Sequence, residues 1–131
     1  MIVLKFGGTS VANSQNIKLV LDIVSKKSQN NKIAVVVSAF SGVTDLLLKA
    51  SNEAASKNES YKVTLEEIQQ KHFETISNLV SESYQKQVIE TITTEFNQLK
   101  ILLDGCFLLG ELSPRTSDAI ASFGELLSSQ I

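Results

Sequence analysis

At 131 residues, with 43 % hydrophobic and 20 % charged side chains, the chain has the proportions of one globular domain. A formal net charge of −2, with acidic and basic residues mixed along the chain, leaves no basic stripe for nucleic acid or an anionic membrane. A single cysteine, Cys106 in an apolar stretch, excludes an internal disulfide and a cysteine-based metal cluster, and is expected to be a buried thiol in a reducing compartment.

Met1 runs into a strand-like segment with no basic leader or cleavage pattern, and no apolar run approaches the roughly 18 residues of a membrane span, so a cytoplasmic location is expected. "IVLKF" (2–6) and "KIAVVVSAF" (32–40) are short β-branched, nearly continuous apolar runs. They predict parallel strands at 2–6 and 32–38, covered on both faces. After the first strand, Ile17, Val20, Leu21 and Val24 recur at helical spacing, with Asn13 or Ser14 placed to cap. After the second, "VTDLLLKASNEAAS" is a run of helix formers ending in the polar "SKNES", which completes a βαβα opening.

From Thr64 the pattern is helical only. Thr64 and Glu67 make a capping-box pair, and Leu65, Ile68, Ile76 and Leu79 fall on one face. Ile89, Ile92, Phe96, Leu99, Leu103 and Cys106 then follow at spacings of three and four, which predicts an antiparallel helical pair packed on the αβ part. Ser113 before Pro114 marks the start of a last helix, since proline at the first helical position gives up no hydrogen bond. No stop signal precedes Ile131, as expected for a piece of a longer chain.

Gly7 and Gly8 directly follow the first strand, where missing Cβ atoms permit unusual dihedrals and let a ligand oxygen approach backbone N–H groups. Thr9 and Ser10 add hydroxyl donors, and Lys5 adds a positive charge at the carboxyl end of the strand, where open α/β sheets bind ligands. The set suits a phosphate, while the plain alternative is a turn beside a solvated lysine. It is neither G-x-x-x-x-G-K-[ST] nor G-x-G-x-x-G, so both standard nucleotide fingerprints are absent.

In "SAFSGVTDLL", Ser38, Ser41 and Thr44 offer hydroxyls to a carboxylate or phosphate at a helix N-terminus, or simply cap that helix. Glu125 in "SFGELLS" is either a solvated edge carboxylate or a partner for a substrate amine. His72, on the Ile68–Ile76 face, reads as a partly covered edge residue, and without a second histidine it makes no metal site. Arg115 reads as a solvated first-turn residue. With no Ser/His/Asp set, hydrolytic chemistry has no support.

Taken in order, "KFGGTSVA", "VVVSAFSGVTDLL" and "SFGELLS" resemble the aspartokinases of the amino-acid kinase family. The stretch "LLDGCFLLGELSPRTSDAIASFGELLS" is most similar to the kinase part of the bifunctional aspartokinase–homoserine dehydrogenases. The resemblance implies an α/β chain forming part of a three-layer αβα fold, with an added helical section over 64–131. It implies transfer of the γ-phosphoryl group of ATP, with Mg2+, to the side-chain carboxylate of L-aspartate, the step that opens the route to lysine, threonine and methionine. Carried over by position, Lys5 is the catalytic cation. Lys5, Gly7, Gly8, Thr9 and Ser10 hold the phosphates, and Ser38, Thr44 and Glu125 hold aspartate. The family domain is longer than this chain, so residues 1–131 are expected to be its N-terminal substrate and phosphate part, inactive alone, within a homo-oligomeric enzyme. Another amino-acid kinase, of the glutamate 5-kinase or acetylglutamate kinase type, and a non-catalytic anion-binding module are the alternatives.

Overall fold

The computed structural model describes all residues, 1–131. The chain is α/β but mostly helical, built on a two-stranded parallel sheet. Strand β1 (Ile2–Phe6) leads through the loop of residues 7–13 into α1 (Ser14–Ser28), whose N-terminus is capped by Asn13 Oδ1 accepting from the Asn16 N–H at 2.9 Å. Strand β2 (Ile33–Val37) then returns beside β1, with Ile2 opposite Ile33 and Phe6 opposite Val37. Lys32 and Ser38, predicted inside the strand, lie just beyond it, yet both still bond to β1: the Ile2 N–H donates to the Lys32 carbonyl at 2.9 Å and the Ser38 N–H to the Phe6 carbonyl at 3.1 Å.

Four helices follow: α2 (Val43–Ala55), α3 (Tyr61–Leu79), α4 (Glu82–Leu109) and α5 (Pro114–Gln130). The link between α3 and α4 is only residues 80–81, which makes the two antiparallel neighbours, as the sequence predicts. Helix α2 is the hub, packing on α3, α4 and α5 through Val43, Leu47, Ala50 and Ala54, all fully buried. The apolar periodicity of α4 points inward as expected, with Ile92, Phe96, Leu99, Leu103 and Cys106 buried, while Ile89 at the edge is exposed. Tyr61 ties α3 to α4 by donating to Asp104 Oδ1 at 2.7 Å, and Lys100 holds the other carboxylate oxygen at 2.6 Å. No helix is long and apolar enough to cross a membrane.

Three local expectations are corrected. Helix α3 starts at Tyr61, so Thr64 is not a cap; it lies inside the helix, donating to Glu53 Oε1 at 2.7 Å. Helix α2 is capped by neither Ser41 nor Thr44, because its N-cap is Gly42 in the left-handed region (φ 81°) with no side-chain cap bond. A glycine holds that φ without the Cβ clash other residues incur.

The third correction concerns the sheet. In a parallel pair, opposite residues share a face and successive ones alternate. Ile2, Leu4, Phe6, Ile33, Val35 and Val37 therefore share the face on which α1 packs. Val3, Lys5, Ala34 and Val36 share the other face, on which no helix lies flat: Val3 is 61 % and Val36 46 % exposed, and α5 reaches only the edge of β2. The strands read as doubly covered because both faces are apolar, but one α1 crossover can cover only one face.

Candidate functional site

The site forms at the carboxyl ends of the two strands. Lys5, the fourth residue of β1, is exposed and lies opposite Val36 on the bare face. The loop after it turns tightly, with the Ser10 N–H donating to the Gly7 carbonyl at 3.0 Å and the Asn16 side chain donating to the Thr9 carbonyl at 3.0 Å. Neither Gly7 nor Gly8 adopts a positive φ, so the expected dihedral need for glycine is not realised. What their missing side chains leave is room. A Cβ on Gly7 would meet nothing within 4 Å, and one on Gly8 would touch Ser38 Oγ at 3.9 Å and the Ala39 carbonyl at 3.8 Å. The glycine loop thus lies against the end of β2, with its backbone accessible from outside.

Ser38 is held there at two points. Its N–H is bonded to β1, and its carbonyl accepts from Ser128 Oγ on α5 at 2.7 Å, across 90 residues of sequence. Ser128 is buried and its role was not legible in the sequence, where it is one serine among several in an apolar helix. Beside it, Gly124 brings α5 into backbone-close contact: a Cβ there would fall 2.7 Å from the Ala39 Cβ and 3.7 Å from Thr44 Oγ1. Only glycine permits this approach, which places "SFGE" on the loop "SAFSGVT".

On α5, Ser122, Glu125, Leu126 and Ser129 recur at spacings of three and four, forming the helix face turned toward β2. With Val35, Val36 and Val37 they line an open concavity of about 610 Å3. Lys5 is not among its lining residues and lies one strand away, opposite Val36. Glu125 is exposed, as is Thr44 in the first turn of α2. The chain's ion pairs, Lys62–Glu59 and Lys100–Asp104, lie elsewhere, so Lys5 and Glu125 both present charges without a protein partner.

Beneath the "SAFSGVT" loop lies α3. His72 is fully buried, not the edge residue expected, because Phe40 stacks on its ring (centroids 5.0 Å apart, 27° between planes) and Phe96 meets it edge-on at 5.6 Å. Its Nδ1 donates to the Ile68 carbonyl at 2.7 Å, and its Nε2 has no partner. Burial holds the imidazole below its usual pKa range, with the Ile68 bond opposing and the neighbouring Lys71 charge reinforcing. Lys71 Nζ itself donates to the Ser41 carbonyl. Nothing local in the sequence marks Lys71, since a lone lysine on a helix reads as solvated. Arg115 is exposed and Cys106 buried, as expected.

The glycine loop thus meets Ser38, and Gly124, the residue before Glu125, meets Ala39 and Thr44. The chain is 34 % identical over 127 residues to a chloroplastic bifunctional aspartokinase/homoserine dehydrogenase 1 of Zea mays, covering 97 % of this chain and 14 % of that protein. It is 36 % identical over 133 residues to an aspartokinase of Candida albicans, covering 24 % of it. Its fold superposes on Escherichia coli aspartokinase III in complex with aspartate and ADP with a TM-score of 0.80 at 29 % identity, over 98 % of this chain and 27 % of that one. The chain therefore spans about a quarter or less of the length of these relatives. The profile of the amino acid kinase family matches residues 1–131 from end to end, and the chain belongs to that family.

Proposed function

We propose that these residues are the acceptor and phosphate-handling part of an aspartate kinase, which transfers the γ-phosphoryl group of ATP to the side-chain carboxylate of L-aspartate to give 4-phospho-L-aspartate. The observation that carries this reading is the convergence of three distant motifs: Gly8 against Ser38, and Gly124 against Ala39 and Thr44. The relatives named above, one of them a complex with aspartate and ADP, support the same substrates.

Phosphoryl transfer through a loose transition state asks the protein for positioning and for positive charge around the moving group. Lys5, exposed on the outer face of the sheet and in neither ion pair, supplies that charge, and the N–H groups of Gly7 and Gly8 with the hydroxyls of Thr9 and Ser10 cradle the phosphate chain. Ser38 and Thr44 donate to aspartate carboxylate oxygens, and Glu125 receives its ammonium. Mg2+ accompanying ATP is held mainly by phosphate oxygens and water, and no step is assigned to the ion. The two strands are read as part of a three-layer αβα kinase sheet. From the resemblance the enzyme is taken as a homo-oligomer of the cytoplasm, with these 131 residues as its N-terminal part.

An ADP-release assay of the natural polypeptide that carries these residues tests the proposal. Turnover is expected with L-aspartate and not with L-glutamate. Lys5→Ala is expected to lower kcat by roughly 10²–10³, the loss typical of one electrostatic group at a transition state, without changing the melting temperature, because Lys5 is exposed and unpaired. Glu125→Gln is expected to raise the aspartate KM. Turnover by Lys5→Ala equal to the parent would remove the assigned role.

A further inference from the structure

We propose that Lys71 is a positioning residue for the acceptor loop, resting on the reading of Ser38 and Thr44 as aspartate contacts. Two consecutive residues of α3 grip that loop from below. His72 carries the Phe40 ring, and Lys71 Nζ bonds the very next carbonyl, that of Ser41. A Cβ on Gly42 would lie 3.8 Å from the same Nζ, so the ammonium spans the Ser41–Gly42 peptide.

That peptide needs holding. Gly42 adopts φ 81°, and glycine passes between left- and right-handed regions at little cost, so sterics alone do not decide which way the Ser41 carbonyl points. The N-terminus of α2 also has no side-chain cap to pin its first turn. The Val43 N–H closes this turn onto the Phe40 carbonyl at 3.0 Å, a bond that either orientation of the Ser41–Gly42 peptide permits. Lys71 selects the orientation in which the Ser41 carbonyl is turned toward α3. Thr44 is two residues further on, in the first turn of α2, so the orientation of that peptide carries into the placement of its hydroxyl.

Helix stabilisation does not account for the arrangement, because a cation near a helix N-terminus opposes the macrodipole. Lys71 is half-buried and absent from both ion pairs of the chain, so its one protein partner is this loop carbonyl.

The test is steady-state kinetics of the natural polypeptide carrying these residues, with Lys71→Met, Lys71→Arg and Thr44→Val compared. Methionine keeps most of the aliphatic stem and removes the donor. Lys71→Met is expected to raise the aspartate KM about tenfold, the order of a hydrogen bond to a charged group, while the ATP KM stays within about twofold. Lys71→Arg, which restores a charged donor, is expected to recover most of the loss. An unchanged aspartate KM in Lys71→Met, or equal rises in both KM values that Lys71→Arg does not recover, would overturn the proposal and leave Lys71 a packing residue. Thr44→Val separates the two layers: if it raises the aspartate KM while Lys71→Met does not, only the positioning role fails. If Thr44→Val leaves the aspartate KM untouched, the assignment of the loop fails and the role of Lys71 with it.

Discussion

His72 is a neutral base in an apolar setting, with Phe40 on one ring face, Phe96 at its edge, and a bare Nε2. Protonation in place would put a charge among those rings with no acceptor to receive it. The folded pKa is lowered, so the unfolded chain takes up the proton first, and stability is complete above about pH 6.5, the ordinary histidine value. As pH falls from there toward the folded pKa, stability is lost at up to about 1.4 kcal/mol per pH unit. Urea unfolding between pH 7.5 and 5 is expected to show this loss in the parent and a flatter profile in His72→Phe. Equal slopes would mean that His72 does not stay neutral in the fold. The residue was misjudged from sequence because Ile68–Ile76 spacing identifies a face, while whether a position on it lies at the centre or rim depends on Phe40, which comes from another part of the chain.

At the scale of elements, the contact of α5 with β2 and α2 decides whether the three motifs form one site. It rests on Gly124, where an added methyl would overlap Ala39 at 2.7 Å, and on the Ser128–Ser38 bond. Gly124→Ala is expected to destabilise the chain by about 1–3 kcal/mol, as overpacking does, by pushing α5 away from the loop. Because the clash is with one methyl group, Ala39→Gly in the same chain is expected to restore most of the loss, a coupling that thermal unfolding of the two single variants and the double variant measures. Additive losses would place the strain elsewhere. The caps divide the same way. Asn13 and Ser113 were legible because a side chain and an amide three residues on suffice, whereas α2 begins at an uncapped left-handed glycine that no capping rule identifies.

Over the whole molecule the core is lopsided. The buried cluster is drawn from α2, α3, α4 and α5 with Val11, Ala39 and Phe40, while β1 contributes no buried residue and α1 only Val20. Leu19, Leu21 and Ile23 of α1 are exposed, as are Val3 and Val36 on the bare sheet face. Regions with few buried apolar contacts open at lower free energy than the rest. Native-state hydrogen exchange is therefore expected to find the fastest helix and strand amides in β1 and α1 and the slowest in α2 and α4. Uniform protection across all elements would contradict that division. Such a distribution keeps Lys5 on the least anchored part of the chain, next to the helical block that carries Thr44 and Glu125 and is bonded to Ser38.

By itself the sequence determined the two strands, the helical runs of α2, α4 and α5, the buried Cys106 and the three motifs, because propensity, periodicity and short motifs are local properties of neighbouring residues. Tertiary structure alone decided that "SFGE" meets "SAFSGVT" through Gly124, that Lys71 holds the Ser41 carbonyl, that His72 is buried, and that one sheet face stays bare. Each of these is a contact, or the lack of one, between segments far apart in the chain, and its energy depends on how helices cross and which faces meet.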